Sequence, residues 1–312
     1  MNRWRGKTAV VTGAASGIGL AITERLIEEG MNVAAFDIQY QRLRDREIEM
    51  RSRGESEGRG KLFPVKCDLT NERDILAGFE WVAENLGGVD VVVNNAGITH
   101  YSKVIESDTD VFRRMLDVNV LAVAICTRES VSSMRARNVE GHVFNINSVL
   151  GHEIPEGVLH RGWNLYPSCK HATVAMSSIV RRELIDVKAK VRMTSVSPGL
   201  VKTEITSGTP ELSNLFERIP TLEPADVADA VAYALGTRPE VQRTFFFHFI
   251  RFRRNKRGAD AILISNSTFF FLFALYRGKN KKKLRTEKNR RKEVVYRILA
   301  SIFSEELFHG SV

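Results

Sequence analysis

A chain of 312 residues with 43% hydrophobic and 27% charged side chains can bury one large core or two smaller ones, and this composition excludes a disordered or fibrous protein. The formal net charge of +9 is unevenly placed: residues 241–312 carry 17 Lys and Arg against 5 Asp and Glu, which leaves 29 of the 46 and 32 of the 37 for residues 1–240. A slightly acidic body disfavours a groove for DNA or RNA, so no nucleic-acid partner is expected for it. Cys67, Cys126 and Cys169 are widely spaced, with no Cys-x-x-Cys and no His cluster at ligand spacing, which predicts neither a disulfide framework nor a metal site. The opening Met1-Asn2-Arg3-Trp4-Arg5-Gly6-Lys7 leads into a strand with no apolar signal-peptide core, so a cytoplasmic location is expected.

The first element is a short apolar strand at 8–11. Thr12-Gly13-Ala14-Ala15-Ser16-Gly17-Ile18-Gly19 follows, and then a helical pattern through Leu20, Ile22, Leu26 and Ile27. Strand, glycine turn and helix in this order form a dinucleotide cradle. Gly13 permits the tight turn, Gly17 lets backbone approach a pyrophosphate, Gly19 allows close packing, and the helix start offers free N–H groups to phosphate. Gly30 ends the helix, residues 32–36 read as the second strand, and Asp37 stands at its end. A carboxylate there accepts bonds from ribose hydroxyls and repels a 2′-phosphate, which favours NAD over NADP. Arg42 and Arg44 keep NADP open as the alternative, unless they are only the exposed face of a helix over 39–51.

Residues 52–61, rich in Gly, Ser and charge, read as a surface loop, and 62–65 as a third strand that puts Asp68 and Leu69 beside an adenine. A helix over 71–86 buries Ile75, Phe79 and Val82. Residues 89–93 form a fully buried parallel strand ending in Asn94-Asn95-Ala96-Gly97, whose small residues let backbone pass close to a cofactor. One long helix is expected over 110–135. Asn119 interrupts its apolar face and is either a packed polar residue or a functional kink. The strand 141–146 places Ser148 just past its C-terminal end, where open α/β sheets bind ligands, and the aperiodic stretch 149–165 is long enough to shape a pocket.

Tyr166-Pro167-Ser168-Cys169-Lys170 puts a phenol and an ammonium one helical turn apart. A free tyrosine has a pKa of about 10, and a neighbouring ammonium is expected to lower it toward the range useful for acid–base work on an alcohol or carbonyl oxygen. Alone the spacing is weak, since an amphipathic surface pair has the same pattern. That helix runs to about residue 186, a strand follows at 191–196, and Ser197-Pro198-Gly199-Leu200-Val201-Lys202-Thr203 closes the motif series. Alternating strands and helices predict an α/β fold with a doubly wound parallel sheet.

Together these motifs resemble the short-chain dehydrogenase/reductase family, over residues 4 to about 238. Arg3-Trp4, the phrase from Asn164 to Ala172 and the phrase from Leu222 to Ala228 are similar to the branch of insect farnesol dehydrogenases and vertebrate dehydrogenase/reductase family member 11. The resemblance implies a Rossmann-fold oxidoreductase in which Tyr166 is the acid/base, Lys170 tunes it and binds the nicotinamide ribose, Ser148 polarises the substrate oxygen, and Asn119 positions a water. It also implies a cofactor lying against Gly13, Ser16, Gly17, Ile18, Gly19, Asp37, Asp68 and Leu69, then Asn95, Ala96 and Gly97, and finally Pro198, Gly199, Val201 and Thr203. The implied substrate is a secondary or isoprenoid, farnesol-like alcohol or the matching carbonyl, and the implied assembly a homodimer or homotetramer. One departure bears on the cofactor. The branch commonly has a basic pair and uses NADP where this chain has Phe36-Asp37, and the local carboxylate is given the greater weight. The alternatives are an NADP-dependent hydroxysteroid or carbonyl reductase and a catalytically silent nucleotide- or RNA-binding protein.

The family pattern stops near residue 240, where a closing strand is expected and the chain turns basic and aromatic-rich instead. Residues 1–240 are therefore read as the catalytic domain and 241–312 as a tail outside it, disordered or without selected function, even an artefact of gene-model translation. The apolar stretch 261–276 falls short of the roughly 20 residues that cross a bilayer, so no transmembrane segment is expected. A basic surface for anionic lipid or RNA around 279–292 is the competing reading of the tail.

Overall fold

The buried strands owe their near-continuous Val and Ala content to helices that cover both faces of one parallel sheet. In a computed structural model, residues 1–52, 58–154, 162–206 and 221–239 are described, together with the backbone of 247–251, 260–266 and 269–275. The elements run β1 (Thr8–Thr12), α1 (Gly17–Glu28), β2 (Asn32–Asp37), α2 (Tyr40–Ser52), β3 (Leu62–Lys66), α3 (Glu72–Leu86), β4 (Val91–Asn94), α4 (Thr109–Leu116), α5 (Ala122–Ala136), β5 (Gly141–Ile146), α6 (Tyr166–Asp186) and β6 (Val191–Pro198), then a helix Pro224–Gly236. The parallel strands lie in the order β3-β2-β1-β4-β5-β6. The order reverses between β1 and β4, and the C-terminal ends of these strands flank the crevice where such sheets hold ligands.

Two apolar layers sandwich the sheet. Ile22 and Leu26 of α1 meet Val227 and Val231 of the helix Pro224–Gly236 on one face, while Ile75, Phe79, Ile125, Met134 and Leu184 cover the other. The N-terminus is fastened to the first layer: the buried Trp4 indole donates to Leu235 O at 2.9 Å, and the Arg3 guanidinium donates to the Leu235 and Thr237 carbonyls. Glu223 caps the helix Pro224–Gly236 in a reciprocal capping box with Asp226.

Two expectations are refined. The single helix over 110–135 is divided, because Asp117–Leu121 forms a π turn between α4 and α5 with Asn119 at its centre. After residue 240, where the sheet was expected to lack its closing strand, the backbone of Phe247–Arg251 (β7) runs parallel to β6 with Val196 opposite Phe247. Asp260–Asn266 (β8) pairs antiparallel with β7, and Phe269–Leu275 (β9) forms the ninth strand of the sheet. The compact unit that these elements form spans Met1–Ala274, and the basic run 279–292 lies outside the described residues. The three cysteines are free and buried, and burial raises their thiols, Cys67 to about 12. Among the described residues no helix is long and apolar enough to cross a membrane, and no three His, Cys, Asp or Glu side chains are placed to hold a metal.

Candidate active site

The glycine turn is built against the loop after β4. The backbone turns at Gly13 with φ 65°, and a Cβ there would stand 2.9 Å from the Ala96 Cα. At Gly19 a Cβ would stand 2.0 Å from the Gly13 carbonyl oxygen, so no side chain fits. Asn95 holds the two segments together: its Nδ2 donates to the Thr12 and Gly13 carbonyls at 3.0 and 3.2 Å, while Thr12 Oγ1 accepts from the Asn95 and Ala96 N–H groups at 3.1 Å. Ser16 is the N-cap of α1, and its side chain does not cap the helix, which leaves the first-turn N–H groups for an anion. Thr203 lies across the turn, since a Cβ at Gly17 would stand 3.1 Å from its Cγ2. Ile18 packs on the first apolar layer, and Pro198 is buried at the end of β6, followed by the half-buried Gly199. Val201 is buried in the core and bridges to Leu222, so it offers a ligand only its backbone.

At the end of β2 the Asp37 carboxylate is buried and fixed. Its Oδ2 accepts from the Ala15 N–H at 3.0 Å, and its Oδ1 from the Gln39 N–H at 2.9 Å. The two arginines that kept NADP open are both engaged. Arg42 is bidentate to Glu204 at 2.8 and 2.9 Å, and Arg44 pairs with Glu47. Asp68 shapes the turn after β3, its Oδ1 accepting from the Thr70 N–H at 2.9 Å, and Leu69 packs at the edge of the second layer. A turn that excludes any Cβ, free helix N–H groups and a fixed carboxylate at the second strand together fit a dinucleotide.

At the other end of the crevice the Tyr166 phenol hydrogen-bonds with Ser148, whose Oγ also accepts from the Leu150 N–H at 3.2 Å. Lys170 Nζ donates to the Ile146 carbonyl at 2.8 Å and stands 5.5 Å from the centre of the Tyr166 ring. The expected lowering of the phenol is not found. Burial pushes Tyr166 up to about 12, with the Ser148 bond pulling the other way, and burial brings Lys170 down to about 8. Desolvation dominates, and the Lys170 ammonium, turned to the Ile146 carbonyl, is not among the groups that lower the phenol.

Asn119 bonds only to backbone: Oδ1 accepts from the Ile98 N–H at 3.0 Å, and Nδ2 donates to the Ile98 and Met115 carbonyls, each at 2.9 Å. A Cβ at Gly97 would stand 2.9 Å from Asn119 Oδ1 and 3.8 Å from Lys170 Nζ, so the π turn and α6 converge on that glycine. Behind them Asn94, Asn145, Thr127 and Ser177 form a buried polar network that ties β4 and β5 to α5 and α6.

Three side chains near this end were not singled out in the sequence. His152 Nε2 meets Ser197 Oγ at 2.9 Å, linking the Ser148 segment to β6. Asn164, in the left-handed region at φ 48°, donates to Ser102 and Ser107 Oγ at 2.7 and 2.6 Å. The Trp163 ring lies 5.9 Å from that of Tyr166. Asparagine's tolerance of that backbone was the one local signal available.

A family model described as short chain dehydrogenase matches residues 7–212. The chain belongs to the short-chain dehydrogenase/reductase family. As a member, it is an NAD(P)-dependent oxidoreductase acting on alcohols or carbonyls. It is 40% identical over 246 residues to a farnesol dehydrogenase of Aedes aegypti, covering 78% of this chain and 95% of that protein. It is 39% identical over 249 residues to dehydrogenase/reductase SDR family member 11 of Mus musculus, covering 78% and 93%. Among solved structures, a short chain dehydrogenase/reductase from Burkholderia phymatum in complex with NAD superimposes with a TM-score of 0.68 at 25% identity, covering 77% of this chain and 89% of that one. A short chain dehydrogenase from Burkholderia cenocepacia J2315 in complex with NADP gives 0.65 at 26% identity, covering 77% and 94%. This family member has relatives with each nicotinamide cofactor.

Proposed function

We propose that the chain interconverts an isoprenoid or secondary alcohol, farnesol-like in class, with its carbonyl, preferring NAD and using Tyr166 as the proton donor and acceptor. The observation that carries this reading is the Tyr166–Ser148 hydrogen bond, with Lys170 one turn further on. When bound, the nicotinamide supplies or accepts the hydride. Ser148 then holds the substrate oxygen, and Tyr166 gives it a proton. A phenol pushed up to about 12 is fully protonated at neutral pH, the form that carbonyl reduction requires. The Lys170 ammonium stabilises the phenolate left behind, and Asn119 acts as a positioning residue that holds the loop from Gly97 against both.

NAD preference is supported by the fixed Asp37 carboxylate, which repels a 2′-phosphate, and by the engagement of Arg42 and Arg44 with Glu204 and Glu47. The farnesol class is supported by the Aedes aegypti relative at 40% identity. Assembly as a homodimer or homotetramer through α4, α5 and α6 is supported by the exposed Leu116, Leu121, Ile179 and Ile185, and sedimentation measures it. The functional test is hydride transfer with NAD and with NADP on farnesol, farnesal and a hydroxysteroid. Turnover of the isoprenoid pair, greater with NAD, is expected. Turnover of the steroid alone, or binding of cofactor with no turnover of any carbonyl, contradicts the reading.

A further inference from the structure

Arg42 stands next to the Asp37 carboxylate by a short relay: its guanidinium donates to Gln39 Oε1 at 3.1 Å, and the Gln39 N–H donates to Asp37 Oδ1 at 2.9 Å. Its other bonds, at 2.8 and 2.9 Å, go to Glu204, 162 residues away in the chain. Glu204 opens the short turn Glu204–Thr206 directly after Thr203, the residue that lies across the glycine turn at Gly17. The exit of β6 therefore brings a carboxylate over to the adenosine side of the crevice, where it occupies the planar donor fork that suits a phosphate as well as a carboxylate.

We infer that Glu204 is a positioning residue for cofactor selectivity: by holding Arg42, it withholds the nearby cation from a 2′-phosphate. The inference rests on the proposed NAD preference and names a second contributor to it beside Asp37. Asp37 acts by its own charge at the ribose. Glu204 acts through Arg42, and a phosphate would have to displace it from the same guanidinium. The pair is solvent-exposed, so competition from a dianionic phosphate is not prohibitive, and the effect is set by the modest strength of a surface ion pair.

The test is binding of NADH and NADPH, followed by nucleotide fluorescence, to the intact protein, to Glu204→Gln, to Arg42→Gln and to the double variant. Glu204→Gln is expected to tighten NADPH about fivefold and leave NADH within about twofold. In the Arg42→Gln background, Glu204→Gln should no longer change the NADPH-to-NADH ratio, and the single-variant gain should shrink as salt is added. An unchanged ratio in Glu204→Gln overturns the inference. A shift of the same size in the Arg42→Gln background overturns it too, because Glu204 would then act by direct repulsion. The intact protein separates this from the underlying reading: tighter NADPH than NADH there refutes NAD preference, whereas the role of Glu204 is judged on the change in ratio alone.

Discussion

At the Tyr166 end of the crevice the polar groups are buried and bonded to backbone, as with Asn119 on Ile98 and Met115 and Lys170 on Ile146. At the Asp37 end one buried carboxylate is surrounded by exposed ion pairs such as Arg42–Glu204. Removing one partner from a buried bond strands the other without water, whereas exposed partners are rehydrated at little cost. The first end should therefore control turnover and stability in large steps, and the second should adjust cofactor choice in small ones.

Lys170→Met is the largest expected effect that sharpens this contrast: kcat should fall by about 10²–10³, the range seen when one electrostatic stabiliser is lost. Thermal stability should fall only slightly with it, because relief from burying the ammonium offsets the Ile146 carbonyl left unpaired. A melting temperature that drops steeply together with kcat would assign Lys170 to the fold. Asn119→Ala removes three bonds to backbone, and urea unfolding should show a loss of about 1–3 kcal/mol. A loss near zero would mean that the π turn holds itself.

At the other end, Asp37→Ala should move the NADPH-to-NADH affinity ratio about tenfold toward NADPH, equivalent to one pKa unit of charge interaction. A ratio that does not move would end the comparison at its adenosine side. The smallest effect is a pH dependence. Lys170 titrates at about 8, so kcat/KM for carbonyl reduction should be level below that value and decline above it, as the ammonium that stabilises the phenolate is lost. A profile level to pH 10 would contradict that role.

The features legible in the sequence are those with local causes. Gly13 and Gly19 are glycine because a Cβ has nowhere to go, and that need shows as a motif. The doubly wound parallel sheet follows from alternating apolar runs and helical patterns. The π turn was not legible as such, since one extra residue in a helix leaves the apolar spacing almost unchanged; the polar Asn119 within that spacing was its only mark. Nor was the state of the phenol. Spacing places Lys170 near Tyr166, but the balance between desolvation and charge depends on what buries the pair and on Ile146, which takes the ammonium. The Arg42–Glu204 pair joins residues 162 apart with no local pattern to announce it. The strand Phe247–Arg251 was hidden because its aromatic, basic sequence departs from the family pattern while its backbone still meets β6.

The most direct measurement compares intact protein with Tyr166→Phe in two ways: the dissociation constant for NADH, and the single-turnover rate of carbonyl reduction at saturating cofactor. The phenol lies at the far end of the crevice from Asp37, so NADH should bind within a few-fold while the rate falls by about 10²–10⁴. A rate that survives the loss of the hydroxyl would contradict the account at its centre.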